Sequence, residues 1–316
     1  MNTLYGVLMQ TLEILVALLL APLLVGWVNQ CRAWLQNRSG PGLLRPYRML
    51  HKLFHKDSVL AEHASSLFRG VPYLVFGCML LACAIIPTFA IGLPLAPAAD
   101  AIALVGLFAL ARVFIALAAM DVGTAFGSLG ARREMLVGFL AEPALLMVLF
   151  TVSLIPQSTS LDTIVTALAQ SDLAIYPSLA FAGVAFVMVA LAENARVPVD
   201  NPTTHLELTM IHEALILEYS GRHLALLEWA ASLKLYAYSC GGAAMFFPWD
   251  LARADHPMGL LVALPGLVTK LAIGGFLLAL IETLSAKQRI FRVPEFLATA
   301  FLVAVIGMLV RLLLGA

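Results

Sequence analysis

Charge is what this chain has least of. Asp, Glu, Lys and Arg make up 12% of its 316 residues, against roughly 25% in a soluble domain. So few charges cannot clothe a water-facing surface on a chain this long. A water-soluble globular protein is therefore excluded, and lipid must be the main solvent. An excess of either sign is also missing, because 19 basic residues face 19 acidic ones, so no nucleic acid or other polyanionic partner is expected. Cysteine is scarce and unpaired in pattern. Cys31, Cys78, Cys83 and Cys240 contain no Cys-x-x-Cys, and Cys78 and Cys83 lie in an apolar run. They read as small buried hydrophobes rather than metal or cluster ligands. There is no Gly-rich phosphate loop, no nucleophile–base pair and no short-period repeat. Among the histidines only His51 and His55 have helical ligand spacing, and no clear further ligand accompanies them, so no metal site is expected. Finally, no basic residue precedes the first apolar run. Arg32 comes after it, which argues for a retained membrane helix rather than a cleavable signal peptide.

What is abundant is apolar length. A helix crosses the hydrocarbon core with about 20 apolar residues, and eight stretches qualify: Tyr5–Val28, Val71–Gly92, Ala101–Met120, Glu134–Pro156, Ile175–Ala192, Trp229–Phe247, Met258–Glu282 and Pro294–Leu314. Prolines and glycines inside them are tolerated where neighbouring helices re-satisfy the backbone. The basic residues sort by loop. Fourteen of them, from Arg32 to Arg292, fall in alternate loops on one side, and the opposite loops carry only Arg253. Positive residues stay cytoplasmic. The expected fold is thus all-α and polytopic, one membrane domain over residues 1–316 with both termini periplasmic. Its cytoplasmic loops fall at about 29–70, 121–133, 193–228 and 283–293.

The chemistry is carried by ionisable residues inside these runs. Arg112 lies mid-way along the third segment, Glu142 in the fourth, and Lys270 near the middle of the seventh with Glu282 at its end. Glu228 and Lys234 bracket the start of the sixth. Each charge at the bilayer centre costs on the order of 3 kcal/mol even on the lenient insertion scale. Such residues are expected to face the bundle interior, pair with one another and line a hydrated path. For Glu134, Glu228 and Glu282 the alternative is snorkelling to the interface.

The loop 192–235 is too polar to span and too apolar to be a solvated linker. Pro198 and Pro202 end the fifth segment, Asn201 or Thr204 can cap a new helix, and Gly221 can stop it. The expectation is a short amphipathic helix from about Thr203 to Tyr219. On it Glu207 and Glu218, eleven residues apart, return to one face about 16 Å apart. Two carboxylates on a largely apolar stripe suit proton relay along a cavity, although an interfacial helix presenting them to water fits the same spacing. Just before it, Glu193, Arg196 and Asp200 form a candidate ion-paired cluster.

These residues resemble a family. Arg38–Gly42 (RSGPG) with Tyr47-Arg48 and Lys52-Leu53, Arg112–Phe114, Asp121–Thr124, Gly130–Glu134, Glu142-Pro143, the set Glu193, Arg196, Pro198, Asp200, Glu207-Leu208, and Glu218–Gly221 (EYSG) together resemble the complex I subunit 1 family. The match is to the branch of membrane-bound nickel–iron (NiFe) hydrogenases and formate hydrogenlyases, of the hydrogenase-4 and formate hydrogenlyase subunit 4 type. Lys287–Pro294 is similar to that branch as well. The resemblance implies a bacterial inner-membrane subunit that holds no cofactor itself. It would anchor a soluble arm made of hydrogenase-like large and small subunits and a ferredoxin-like iron–sulfur subunit, with the NiFe and iron–sulfur centres on those partners. It would also contact antiporter-like membrane subunits and couple electron transfer to proton or sodium movement. In this reading Arg112, Glu142, Glu193, Arg196, Asp200, Glu207, Glu218, Glu228, Lys234 and Lys270 form the coupling path. Arg38, Arg45, Arg48, Lys52, Asp121, Arg132, Arg133 and Glu134 dock the soluble arm. One departure matters: Thr203, Thr204 and His205 stand where the family commonly has Glu-Ala-Glu, so the acidic funnel is thinner here and whether quinone binds is left open by the resemblance. Two other readings remain open, a stand-alone secondary transporter and a passive anchor that moves no ions.

Overall fold

The computed structural model describes residues 2–61, 63–170, 177–200, 210–249, 252–253, 259–286, 288 and 292–314. Its helices are α1 (Asn2–Leu35), α2 (Arg45–Phe54), α3 (Ser66–Ile85), α4 (Ala101–Asp121), α5 (Ala125–Ser153), α6 (Leu161–Gln170), α7 (Pro177–Glu193), α8 (His212–Ile216), α9 (Gly221–Phe246), α10 (Leu260–Leu284) and α11 (Val293–Leu314). The only strands described are the two-residue pair β1 (Ala90–Ile91) and β2 (Ala252–Arg253), which run parallel with Ala90 opposite Ala252.

Each of the eight expected spans is a helix. Six are long and apolar enough to cross a membrane: α1, α3, α4, α5, α10 and α11. The seventh, α7, is apolar but has 17 residues, and the eighth, α9, has 26 residues that include Glu228 and Lys234. The chain is an all-α, multi-pass membrane protein.

The ends of the helices follow local chemistry. Ser65, Asp100 and Thr124 cap α3, α4 and α5, their side chains accepting from the backbone N–H of Leu67, Ile102 and Gly127. The Thr124 cap starts α5 nine residues before the expected edge at Glu134. Conversely, α3 stops at Ile85 rather than Gly92, because Ile86 precedes Pro87 and takes an extended conformation. The following residues supply β1 instead. Two helices lie where loops were expected. α2 is amphipathic, with Pro46 and Leu50 buried between exposed Arg45, Arg48 and Lys52, and α6 follows the loop after α5.

The amphipathic helix expected over Thr203–Tyr219 is shorter than its pattern suggested. Residues 201–209 lie outside the described residues. Met210 and Ile211 are not helical, and α8 covers five residues. It ends where the chain must turn into Gly221, which has φ +54°.

Packing places α9 at the centre, against α1, α3 and α7, with α2 beside it. On one flank α10 lies along α1. On the other, α4, α5, α7 and α11 pack together, and α8 lies against α5 and α4.

Candidate functional site

Arg112, on α4, is 4% exposed in the middle of that second flank. Gly138 on α5 makes room for it, since a Cβ there would overlap the guanidinium. Three acids converge on this one base. Arg112 Nε donates to Glu134 Oε1 at 3.3 Å, Nη1 donates to Glu142 Oε1 at 2.6 Å, and Nη2 donates to Glu193 Oε2. Glu134 and Glu142 come from α5, eight residues apart and therefore on nearly one face, and Glu193 closes the end of α7. A second base joins from α9, where Lys234 Nζ lies 2.8 Å from Glu193 Oε2. Tyr238, one turn further along α9, stacks its ring on Phe108 at 4.9 Å. Among the described residues its buried hydroxyl has no hydrogen-bond partner.

This interior cluster holds three carboxylates and two cations. Burial penalises each charge, and multiple direct hydrogen bonds offset that cost. Fully ionised, the cluster carries one negative charge too many; with one proton bound it is neutral. A set with one acid more than its bases can take up or release a single proton. Glu142 is the acid most open to exchange, with its side chain 30% exposed, whereas the side chain of Glu193 is 2% exposed.

A second cluster sits at the ends of α1 and α10. Glu282 is buried and accepts from Arg196 Nη1 at 3.1 Å and from Arg32 Nη1 at 3.4 Å. Glu193 and Arg196, expected as an ion pair, are therefore separated in the structure, each serving a different cluster. The turn between them explains this: Ala195 has φ +50°, which sends the two side chains apart. Asp200 is buried, and its N–H donates to the Arg196 carbonyl at 3.1 Å.

The other sequence candidates are dispersed. Lys270 donates to the Trp249 carbonyl from α10, on the flank remote from Arg112. Glu228 is half-buried on α9 in the electrostatic neighbourhood of Glu213. Glu207 lies outside the described residues. Glu218 is exposed and does not face into the helix bundle.

Of the expected docking residues, Arg38, Arg45, Arg48, Lys52 and Arg132 are exposed. Three others are engaged within the chain. Asp121 accepts from Ser65 N–H at 2.9 Å, Arg133 donates to the Met210 carbonyl at 2.9 Å, and Glu134 is spent on Arg112. Glu134 is too buried to belong to a docking surface, because the early start of α5 carries it into the bundle.

The EYSG motif is a clamp. Tyr219 stacks on Phe68 at 4.0 Å and donates to its carbonyl at 3.0 Å. Burial, reinforced by the Asp121 charge, pushes the Tyr219 phenol above its ordinary range, so it stays a donor. Ser220 Oγ accepts from Val59 N–H at 2.8 Å and donates to the Val59 carbonyl at 2.7 Å. Gly221 has positive φ, and a Cβ on it would come within 2.9 Å of the Lys56 carbonyl. The motif thus ties the loop between α2 and α3 to the start of α9.

One residue escaped the sequence reading. Glu13 on α1 is fully buried and accepts from Thr88 N–H and Thr88 Oγ. The signal was available, since an acid inside a long apolar run is the same signal that marks Arg112.

Among the described residues no group of three or more His, Cys, Asp or Glu is placed to hold a metal ion. The NADH dehydrogenase family profile matches residues 9–313. Formate hydrogenlyase subunit 4 of Escherichia coli (strain K12) is 33% identical over 290 residues, covering 92% of this chain and 94% of that protein. Hydrogenase-4 component C of the same organism is 32% identical over 288 residues, covering 90% and 89%. A chain of the archaeal respiratory complex membrane-bound sulfane sulfur reductase superposes with TM-score 0.80 over 96% of this chain and 98% of its own, at 21% identity, a likeness of fold. With a family match along nearly its whole length and relatives one-third identical across nine-tenths of it, the chain belongs to the NADH dehydrogenase family, as a complex I subunit 1-like membrane protein.

Proposed function

We propose that the chain is the membrane-arm subunit of a complex I-like hydrogenase or formate hydrogenlyase, passing protons in step with electron transfer on its partners. Its relatives are named as subunits or components of formate hydrogenlyase and hydrogenase-4. In this reading the NiFe and iron–sulfur centres lie on hydrogenase-like large and small subunits and a ferredoxin-like subunit. Antiporter-like subunits adjoin in a bacterial inner membrane, and this chain binds no redox group.

The observation that carries the reading is the three-to-two charge set of Glu134, Glu142, Glu193, Arg112 and Lys234. A passive anchor has no use for three acids and two bases in its interior, each costly there. The short segment from Glu193 to Arg196 links that set to the Glu282 cluster, giving movement in the cytoplasmic loop a mechanical hold on both. Exposed Arg38, Arg45, Arg48, Lys52 and Arg132 form the docking face for the soluble arm.

The test is the assembled complex in sealed vesicles. Lys234→Ala removes one of the two bases, and the ratio of protons moved to electrons transferred is expected to fall several-fold. An unaltered ratio in an assembled complex would sink the coupling reading and leave an anchor.

A further inference from the structure

Glu13 belongs to neither cluster described above. It lies on α1 nineteen residues before Arg32, about 28 Å along the helix axis, which is nearly the thickness of the hydrocarbon core. Arg32 opens the basic first loop, so Glu13 lies toward the opposite end of α1 from that loop. It is 0% exposed, and among the described residues no ion pair joins it to a base.

Its surroundings are neutral donors. Oε1 accepts from Thr88 N–H at 2.8 Å and from Thr88 Oγ at 2.6 Å, while Oε2 accepts from Gln10 Nε2 at 3.3 Å. Gln10 is itself fixed, donating to the Ala84 carbonyl at 2.9 Å and accepting from Leu95 N–H at 3.3 Å. Beside them is a cavity of about 10 Å³, lined by Gln10, Glu13 and Asp162 among apolar groups, room for about one water. Asp162, on α6, accepts from Gly92 N–H at 2.7 Å.

We propose that Glu13, set among Thr88, Gln10 and Asp162, is a proton-exchange site at the membrane face opposite the basic loops. This rests on the reading of the chain as a proton-coupling subunit. The ligand is a proton rather than a metal cation, because N–H and O–H donors already occupy most of the acceptor positions of the carboxylate. A sodium ion would need several oxygens turned toward it and would meet hydrogens instead. In this exchange the Thr88 hydroxyl turns from donor to acceptor as the carboxyl takes up one proton, and the adjoining water-sized cavity is the proton's route in or out.

A connection to the central cluster is present on α9. Lys234 faces Glu193, and Tyr236, two residues on, presents the other side of the helix. The Tyr236 side chain is fully buried, and among the described residues its hydroxyl has no oxygen or nitrogen partner. α9 thus carries Lys234, which binds the central cluster, and buried Tyr236 on its opposite side.

Infrared difference spectra of the assembled complex in vesicles, recorded as pH is varied, test the site. A protonated-carboxyl band is expected that Glu13→Gln abolishes. Thr88→Val, which removes one donor to the anion, should shift the band's midpoint to higher pH, and this second variant carries the test if Glu13→Gln fails to assemble. Glu13→Gln is also expected to lower the proton-to-electron ratio several-fold. If the band survives Glu13→Gln, or if no Thr88-sensitive band titrates, Glu13 is a structural anchor for the 84–95 loop and the proposal is overturned. Should Glu142→Gln uncouple the complex while Glu13→Gln does not, this inference alone falls. If Glu142→Gln itself leaves the ratio intact, the underlying reading falls with it.

Discussion

Glu193 and Arg196 stand three residues apart at one helix end and bind in different directions. Glu193 holds Arg112 and Lys234, whereas Arg196 donates to Glu282 at 3.1 Å. Any shift of the 193–200 segment therefore pulls on two ion-pair clusters at once. A ligand or partner shifts an equilibrium only through such differential contacts, and this segment joins Arg196 and Asp200 to Arg112 through Glu193.

Arg112→Ala would strand three acids in the interior. Breaking a buried pair from one side costs about 3–5 kcal/mol, so loss of the folded subunit from purified membranes is expected. Arg112→Lys, which keeps the charge but only one donor group, is expected to retain part of the yield. Equal yields for Ala and wild type would show that the cluster does not stabilise the bundle.

Gly138→Ala tests the space rather than the charge. The added methyl overlaps the guanidinium, and overpacking of this kind costs about 1–3 kcal/mol. A lower melting temperature in detergent is expected, with no such change for Gly77→Ala, where nothing lies within 4 Å of the added atom.

Ser220→Ala removes both hydrogen bonds to Val59, and Gly221→Ala places a side chain at φ +54° against the Lys56 carbonyl. The strained backbone alone costs about 1–3 kcal/mol. Both variants are expected to speed amide exchange and proteolysis at residues 56–60. Unchanged protection there would mean that the clamp does not order the loop.

Tyr219→Phe keeps the stack on Phe68 and loses one hydrogen bond, at a cost of about 0.5–1.5 kcal/mol. The phenol is pushed up from its ordinary value of 10.0 by burial. Its contribution to stability is therefore complete below pH 10.0 and declines as pH rises above that, because the unfolded chain loses the proton first. The phenylalanine variant should lack this alkaline decline, which a stability titration would read directly.

Much of this was legible in the residues. Eight apolar runs became eight helices, because run length against bilayer thickness leaves little choice. Arg112, Glu142 and Lys234 stood out because charge in an apolar run is costly, and Glu193 because it stands beside Arg196 at a helix end; the structure brings those four together. Their partnership was less legible, since pairing depends on which helices are neighbours. Lys270 carried the same signal as Arg112, yet α10 packs on the other flank. Glu134 read as a loop-edge residue because hydropathy places the membrane boundary there, whereas the Thr124 cap begins the helix earlier. Glu218 suited a carboxylate stripe only on a continuous helix, and α8 ends at Ile216. α2 was hidden because ten amphipathic residues in a basic loop carry no spanning signal.

The central claim is that the Arg112 cluster gains and loses one proton because its acids outnumber its bases by one. Glu142→Gln evens the set at two and two while keeping the shape of the side chain that touches Arg112 at 2.6 Å. The measurement is the number of protons moved per electron by the assembled variant complex in vesicles. The account predicts a collapse of that ratio; a ratio equal to that of the unmodified complex would contradict it.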